Sequence, residues 1–267
     1  MESPRLQKEL VREQFTRTAQ VFGDFAVASR VAEAEQLARM VMACAGDRAV
    51  DLACGPGTLA LRFARHVRWV CGLDLTPAIL ERAREAAAGQ GLANLDFAIG
   101  DAQSLPFADG SLDIAVTSYS LHHLPDAARA IGEMARVVRR GGRVGILDIY
   151  VPNDPQTSAW NNRIERLRDV SHTRTIMREE FDSYFAAHGL RIVETRVEEN
   201  SRDFDHWMFV AGAKPGDKAY IEARRLMEAS IPNDEAWFHP RFEPAPGDGR
   251  PPLVFTNTSL FIAGEKV

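Results

Sequence analysis

A chain of 267 residues with 45% hydrophobic side chains can bury the core of one α/β domain of ordinary size. Its formal net charge is −5, and its Lys and Arg residues are spread along the chain, so we do not expect a nucleic-acid partner. The three cysteines, Cys44, Cys54 and Cys71, form no CxxC pair and have no histidine at ligand spacing, which argues against a disulfide framework and a zinc site.

The composition shows no targeting or membrane segment. Residues 1–10 mix Glu, Arg and Lys without a continuous apolar run, and no later stretch approaches the length of a membrane span. We therefore expect a protein of the reducing cytoplasm, without a metal site or membrane insertion. The sequence leaves a homodimer open.

From residue 47 onward, short β-rich runs alternate with helical patterns, which is typical of βαβ units and of a parallel sheet covered by helices on both faces. Predicted strands lie at 48–53, 68–74, 95–99, 112–118, 143–150, 190–197 and 253–263. Predicted helices lie at 57–65, 77–88, 125–139 and 177–187. The pattern predicts an α/β fold.

We expect one domain whose sheet is covered by segments outside this alternation. Residues 1–45 form a helical arm, and residues 46–150 form a cofactor-binding core. Residues 151–177 and 200–252 are two cap segments. Residues 178–199 and 253–267 complete the sheet. The run PNDP at 152–155 is predicted to break any helix and to lead into a polar segment at 160–175 that is either a loop or part of the cap. Residues 205–229 are predicted to be helical. Because the arm and the 200–252 insertion are amphipathic, we expect them to form a lid over the carboxyl edge of the sheet.

The strongest local signal is DLACGPGT at 51–58, where a predicted strand turns into a helix. Gly55 and Gly57 lack a Cβ atom, so a ligand can lie against the backbone and the turn can adopt positive φ. The following helix presents free N–H groups to such a ligand. The pattern predicts a cofactor-binding turn, and a tight turn needed only for the fold is the alternative.

Carboxylates follow the next two predicted strands. Asp74 ends the second strand, where it can accept hydrogen bonds from both ribose hydroxyls of a nucleoside cofactor or simply cap the next helix. Gly55, Gly57 and Ala60 also satisfy the G-x-G-x-x-A dinucleotide fingerprint, so a nicotinamide cofactor is the competing interpretation. Asp101 favours a single nucleoside, because a carboxylate after the third strand can accept a hydrogen bond from an adenine amino group.

Four motifs stand in a fixed order between about residues 14 and 196: VDLACGPG at 50–57, GLD at 72–74, GDAQSLPF at 100–107 and RVVRRGG at 136–142. Together they resemble a class I S-adenosylmethionine-dependent methyltransferase of the ubiquinone/menaquinone-biosynthesis type, also called type 11. The resemblance implies a Rossmann-like, seven-stranded, mostly parallel sheet whose antiparallel last strand inserts between strands five and six. It also implies S-adenosyl-L-methionine as cofactor, S-adenosyl-L-homocysteine as product and a small-molecule acceptor.

The resemblance assigns each part of the cofactor to a place in the chain. Expected cofactor-binding residues are Asp51, Ala53, Gly55 and Gly57 at the methionine portion, Asp74 at the ribose, Leu75 and Asp101-Ala102 at adenine, and Ser118 beside the methionine end. Ala53 departs from the pattern, because many relatives have glycine there. LHHLPD at 121–126 departs from quinone-type relatives and, with LRDVSHTR at 167–174, is more like small-molecule and natural-product methyltransferases.

Methyl transfer from a sulfonium is an in-line displacement, so the enzyme mainly aligns the reactants and excludes water. O- or C-methylation is favoured, and a base then helps. His123 is the first choice, with His122 and Asp148 as partners that orient it or the substrate, because open α/β sheets bind ligands at the carboxyl ends of their central strands. Alternatively, the histidine pair caps a helix or packs beneath the lid.

Several residues of the cap could either line an acceptor pocket or stabilise the cap itself. His172 and Arg174 either line an acceptor pocket or hold the cap by salt bridges, and support is favoured. Six cap aromatics either wall a hydrophobic pocket or form the core of the cap, the favoured interpretation: Trp160, Phe204, Trp207, Phe209, Trp237 and Phe238.

Three classes of function follow from these signals. They are a small-molecule methyltransferase, an NAD(P)-dependent oxidoreductase, and an S-adenosylmethionine-binding protein that does not methylate. The motif order favours the first over the second. A binding motif does not by itself demonstrate turnover, so the third stays open.

Overall fold

The computed structural model describes residues 4–244, 249 and 251–267. The predictions for residues 1–3, and for 245–248 and 250 within the cap segment, concern residues outside this description. The helices are α1 (Pro4–Ser29), α2 (Val31–Met40), α3 (Thr58–Phe63), α4 (Pro77–Gly89), α5 (Ala127–Val137), α6 (Pro155–Arg168), α7 (Arg178–Ala187), α8 (Phe204–Val210) and α9 (Lys218–Ala229). The strands are β1 (Arg48–Leu52), β2 (Trp69–Asp74), β3 (Leu95–Ile99), β4 (Leu112–Ser118), β5 (Val138–Val151), β6 (Ile176–Met177), β7 (Leu190–Asp203), β8 (Arg241–Phe242) and β9 (Leu253–Lys266).

One sheet organises the molecule, with the strand order β3-β2-β1-β4-β5-β9-β7. The pairs from β3 to β5 are parallel, and β9 runs antiparallel to both β5 and β7. This confirms the Rossmann-like sheet and the antiparallel last strand inserted beside the fifth strand. Within the described residues, two short strands join the seven on this path, because β6 pairs with β5 and β8 pairs with β9.

Alternation along the strands buries apolar side chains on both faces of the sheet. Val50 of β1 packs in one cluster with Ile131 of α5. Its neighbour Ala49 packs in the opposite cluster with Leu37 of α2 and Phe63 of α3. Because helices cover β1 on both sides, most of its side chains are apolar. Polar functional groups are therefore expected at the carboxyl ends of the central strands, where open α/β sheets bind ligands.

The first cap segment is largely helical, so the loop alternative predicted for residues 160–175 is wrong. The α6 helix begins directly after PNDP and includes most of 160–175. Asp154 caps it by accepting a hydrogen bond from the Thr157 N–H at 2.6 Å. Pro155 occupies the first turn, where its missing N–H leaves no hydrogen bond unmade and its fixed φ suits a helix. The same residues that end a helix when placed inside it therefore start this one.

The second cap segment forms two helices, α8 and α9, where one helical stretch was predicted. Gly212 and Gly216, both at positive φ, lie between them. The prediction that cap aromatics form the cap's own core agrees with the cluster of Phe204, Trp207 and Phe238. Phe209 is instead 51% exposed.

The N-terminal arm lies over the carboxyl edge of the sheet. Gln7 of α1 donates from Nε2 to the backbone oxygens of His123 (3.1 Å) and Ser171 (2.6 Å). Further along the helix, Gln14 donates to the Ala211 carbonyl at 2.9 Å. The arm thereby ties the ends of the central strands to the cap. Among the described residues, no helix combines the length and the apolar character needed to cross a membrane.

Candidate active site

The turn after β1 has the backbone geometry of a ligand-binding loop. Gly55 and Gly57 adopt φ of 53° and 84°, and Gly57 precedes α3 as its left-handed N-cap. A Cβ on Gly57 would lie 3.1 Å from Phe97 Cζ and 3.2 Å from Ala83 Cβ. This position therefore requires glycine both for conformation and for space.

Ala53 in the same turn has φ of 49°, a left-handed conformation that an L-residue adopts at a cost of about 1–2 kcal/mol. We expect Ala53→Gly to raise the free energy of unfolding by up to about 1 kcal/mol, because the strain removed exceeds the extra entropy of glycine in the unfolded chain. Gly57→Ala should lower it, since the same left-handed backbone there also faces Phe97 and Ala83. Urea unfolding measures both changes. Equal or lower stability of Ala53→Gly would show that the turn is not strained.

Two buried carboxylates hold this turn. Asp74 accepts hydrogen bonds at 2.9 Å from the N–H groups of Gly55 and Thr76, one through each oxygen. Asp51 accepts through Oδ2 from the Ala60 N–H at 3.0 Å, and its buried Oδ1 has no partner among the described residues. Burial raises the pKa of both carboxyls. Asp51 thus keeps an acceptor that a bound group could satisfy.

The expected adenine side of the site follows β2 and β3. Leu75 and Ala102 line the cleft there. The Asp101 carboxylate is engaged within the chain, because Oδ2 lies 2.6 Å from Lys8 Nζ of α1 and Oδ1 accepts from the Gln103 N–H at 2.9 Å. The arm therefore reaches this carboxylate, a contact that the sequence did not suggest.

These elements enclose a cleft of about 740 Å³ at the carboxyl edge of the sheet. Predicted cofactor residues in its wall are Ala53, Gly55, Asp74, Leu75, Ala102 and Ser118. The other three, Asp51, Gly57 and Asp101, support the wall without lining it. Phe15 and Phe22 of α1 close the cleft from the side of the arm.

His122 and Asp148 form a buried pair at the ends of β4 and β5. His122 Nδ1 lies 2.5 Å from Asp148 Oδ1, and Asp148 Oδ2 accepts from the Leu121 N–H at 2.8 Å. Because a carboxylate only accepts, Nδ1 carries the hydrogen and Nε2 keeps a lone pair. Nε2 has no hydrogen-bond partner among the described residues. Burial would lower the pKa of His122, but Asp148 outweighs burial and raises that pKa.

His123 has different surroundings, although it is the next residue in the chain. Its Nδ1 lies 3.1 Å from both the carbonyl oxygen and the hydroxyl of Ser171. Burial, assisted by the charge of His122, lowers the pKa of His123 to about 4, so the ring is neutral near pH 7. The two residues belong to a 3₁₀ turn, in which adjacent side chains point about 120° apart. Asp148 accordingly contacts His122 and not His123, which sequence analysis ranked first.

A second cavity, of about 850 Å³, adjoins the cleft. The two share the residues Phe15, Phe22, Arg30, Tyr119 and His123. Its remaining walls come from the ends of α6 and β7 and from α8, and include His122, Glu165, Arg168, Asp169, Arg202, Asp203, His206 and Trp207. Ligands in the two cavities would therefore meet at the shared residues.

Arg30, at the break between α1 and α2, lines both cavities and was not found by sequence analysis. Its guanidinium carbon lies 4.1 Å from the centre of the Tyr119 ring, and its buried Nε has no hydrogen-bond partner among the described residues. Burial lowers the pKa of Arg30, and the positive charges of Arg202 and Arg168 add to this effect. The signal present in the sequence was a charged residue between two amphipathic helices.

His172 and Arg174 make supporting contacts within the cap. His172 Nε2 lies 2.8 Å from Asn162 Oδ1, and Arg174 makes two hydrogen bonds of 2.6 Å with the Glu180 carboxylate. These contacts agree with the favoured supporting role. In the part of the chain that the structure describes, no three His, Cys, Asp or Glu side chains are grouped so that they could hold a metal ion.

A doubly wound sheet with this glycine turn, a carboxylate at the end of β2 and two adjoining cavities is an arrangement typical of proteins that bind a nucleoside cofactor beside another small molecule. Residues 50–146 match the family described as "Methyltransferase domain". The uncharacterized methyltransferase YcgJ of Bacillus subtilis (strain 168) is 34% identical over 225 residues, which are 83% of this chain and 86% of that protein.

Solved structures agree with this similarity. The crystal structure of YcgJ from Bacillus subtilis matches with a TM-score of 0.80 at 30% identity, over 88% of this chain and 98% of that one. A putative methyltransferase from Bacillus halodurans C-125 matches with a TM-score of 0.77 at 25% identity, over 88% and 99%. The chain belongs to this family of class I S-adenosylmethionine-dependent methyltransferases. The preference for a methyltransferase over a nicotinamide oxidoreductase is thereby confirmed.

Proposed function

We propose that S-adenosylmethionine binds in the first cleft and that a small organic acceptor binds in the second cavity, with the transferred methyl group at their shared wall. The single observation that carries this proposal is that the two cavities meet beside the His122–Asp148 pair. When bound, the cofactor supplies an electrophilic methyl group on a positively charged sulfur. The protein's own groups must then hold both molecules and remove a proton.

The cleft offers unsatisfied polar groups that suit this cofactor. The Thr58 hydroxyl in the cleft wall and the Asp51 Oδ1 atom behind that wall are both buried without partners among the described residues. Asp74 has further lone pairs for the ribose hydroxyls, and Leu75 and Ala102 offer apolar contact to adenine. The Asp101 carboxylate, which also contacts Lys8 Nζ, is proposed to accept a hydrogen bond from the adenine amino group.

Arg30 is proposed to bind the carboxylate of the methionine portion, because it lies beside Tyr119 and Ser118 with an unused guanidinium. We expect Arg30→Gln to weaken S-adenosylhomocysteine binding at least about tenfold, since a charge-assisted hydrogen bond contributes about 1.5–3 kcal/mol. Binding of 5′-methylthioadenosine, which lacks that carboxylate, should not change. Arg140→Gln, at an exposed arginine far from the cleft, is the control for calorimetry. Equal losses for both ligands would assign Arg30 to the support of the cleft instead.

His122 is proposed as the base, and Asp148 as the residue that positions it. Nε2 takes a proton from a hydroxyl or an acidic carbon as that atom attacks the methyl group, while Asp148 accepts a hydrogen bond from Nδ1–H and stabilises the resulting imidazolium. His123 stays neutral and forms part of the wall. The arm and the cap exclude water from the reacting atoms.

The acceptor is proposed to be a diffusible small molecule in the cytoplasm. More distant relatives carry names of such activities: demethylmenaquinone methyltransferase of Lactobacillus johnsonii is 38% identical over 42% of this chain, and 27-O-demethylrifamycin SV methyltransferase of Amycolatopsis mediterranei is 36% identical over 51%. The aromatic walls of the second cavity suit an apolar acceptor body.

The proposal is tested by ligand binding and product identification. S-adenosylmethionine and S-adenosylhomocysteine should bind in calorimetry, whereas NAD and NADP should not. Incubation with methyl-labelled S-adenosylmethionine and fractionated cell extract should yield a labelled small molecule, and His122→Ala should yield far less of it. Nicotinamide binding without a response to the sulfur ligands would overturn the proposal.

The third class of function is tested by the same incubation. A [4+2]-cyclase, SpnF, has a related fold, with a TM-score of 0.62 at 19% identity. Tight binding of S-adenosylmethionine without any labelled product would favour a protein that binds the cofactor and does not methylate.

A further inference from the structure

Three arginines and three carboxylates line the second cavity, but among the described residues only one of these arginines forms an ion pair with one of these carboxylates. Arg30, Arg168 and Arg202 line it together, although they come from three separate parts of the sequence. They lie close enough that the charges of Arg168 and Arg202 disfavour the charged form of Arg30. Like charges that converge in a partly dehydrated cavity repel each other, and Glu165, Asp169 and Asp203 in the same lining offset this repulsion.

Among the described residues, only one carboxylate of the cavity forms an ion pair with one of the three arginines. Glu165 lies 3.6 Å from Arg168 and pairs with it. Asp203 accepts from the His206 N–H at 2.8 Å as the cap of α8. Asp169 accepts from the Ser171 N–H at 2.8 Å and from the Ser171 hydroxyl at 2.7 Å.

Arg202 forms none of these contacts with a carboxylate. Its side chain makes no hydrogen bond or ion pair with any described residue, and its nearest recorded contact is the Phe25 ring, 5.8 Å from the guanidinium carbon. Arg30 has the cofactor carboxylate as its proposed partner. A guanidinium presents five donors in a fixed plane, the arrangement that carboxylate and phosphate oxygens fit.

Aromatic side chains stand beside these charges. Phe25 lies near both Arg30 and Arg202, with guanidinium carbons 5.8 Å from its ring centre in each case. Trp207 lies under Arg168, whose guanidinium carbon is 4.7 Å from that ring. The cavity therefore combines an apolar surface with one guanidinium, that of Arg202, which has no ion-pair partner among the described residues.

We propose that the methyl acceptor is an amphipathic acid whose carboxylate or phosphate group is bound by Arg202, with Arg168 beside it, while its apolar body packs on Phe25 and Trp207. This inference rests on the proposed placement of the acceptor in the second cavity. It names the chemical class of substrate that the cavity selects. Arg202 is a binding residue for that anion and does not contact the cofactor cleft.

Three matched probes test the charge preference in the presence of saturating S-adenosylhomocysteine: 2-naphthoate, 2-naphthyl phosphate and the neutral 2-naphthamide. Calorimetry on the wild-type protein should show at least one anion binding about tenfold or more tightly than the amide, as one charge-assisted interaction provides. The better anion tells carboxylate from phosphate. Arg202→Gln should remove the preference, Arg202→Lys should keep part of it, and the control Arg140→Gln should keep all of it.

Several results would overturn the inference. They are equal affinities for the amide and both anions, an unchanged preference in Arg202→Gln, or no saturable binding of either anion in the millimolar range. Thermal unfolding of Arg202→Gln shows whether the variant is folded, and the lysine variant provides a second test if it is not. Failure of S-adenosylhomocysteine to bind would contradict the proposed function, while the comparison of acids with the amide can still be made without it.

Discussion

His122→Ala should lower the turnover number for a hydroxyl or carbon acceptor by about 10²–10⁴, the usual contribution of a general base. S-adenosylhomocysteine affinity should be nearly unchanged, because His122 lines the second cavity and not the cofactor cleft. His123→Ala should cost less, since burial lowers the pKa of His123, which makes it a weaker base, and its Nδ1 is hydrogen-bonded to Ser171. A neutral amine acceptor would need little base assistance, so its effect should be much smaller. Full turnover of His122→Ala on a hydroxyl acceptor would place the base elsewhere.

The pH dependence tests the same pair. Asp148 raises the pKa of His122, and a base must be unprotonated, so activity should fall as the pH drops through this raised pKa. Asp148→Asn removes the charge, which should move the acid limb of the pH profile to lower pH and reduce the rate at its plateau. NMR titration of the His122 ring measures the shift directly without an acceptor. An acid limb that stays in place in Asp148→Asn would contradict the assignment.

Asp74→Ala should weaken S-adenosylmethionine binding by about tenfold to a hundredfold. Each charge-assisted hydrogen bond to a ribose hydroxyl contributes about 1.5–3 kcal/mol, and 1.4 kcal/mol corresponds to a factor of ten. The substitution also releases the Gly55 and Thr76 N–H groups that Asp74 holds, so part of the loss reflects a looser turn.

Two variants separate these contributions in calorimetry. Asp74→Asn keeps one oxygen acceptor and should lose less affinity than Asp74→Ala. Asp96→Ala removes an exposed carboxylate that accepts from Trp69 Nε1 at 2.7 Å outside the cleft, and should leave affinity unchanged. An unchanged dissociation constant in folded Asp74→Ala would remove this residue from the site.

Short sequence patterns were sufficient to predict the order of the strands and helices in the core. The strands and helices from β1 to β5 follow from alternating apolar runs, because both faces of a parallel sheet must be buried. The glycine turn could be located because only glycine supplies positive φ without a Cβ, as the contacts of Gly57 with Phe97 show. Asp74 could be placed for a similar reason, since the carboxyl end of β2 meets the turn after β1 in any doubly wound sheet.

Boundaries in the cap were less predictable, because the same residues serve opposite purposes in different positions. The PNDP run predicts a helix break, yet Asp154 caps the N-terminus of α6 and Pro155 occupies its first turn. Whether such a pair ends or begins a helix depends on whether the chain that follows finds an apolar partner, here the cluster containing Ile164. That partner lies far along the sequence.

By itself, the sequence determined the methyltransferase family, the parallel core and the position of the glycine turn, because these depend on short motifs and on periodicity. Tertiary structure alone decided which histidine Asp148 contacts, that Lys8 engages Asp101, and that Arg30 and Arg202 meet in one cavity. The pKa of a side chain depends on burial and on charges a few ångströms away, which belong to distant segments. Neighbours in the chain such as His122 and His123 therefore acquire opposite pKa shifts only once the fold surrounds them.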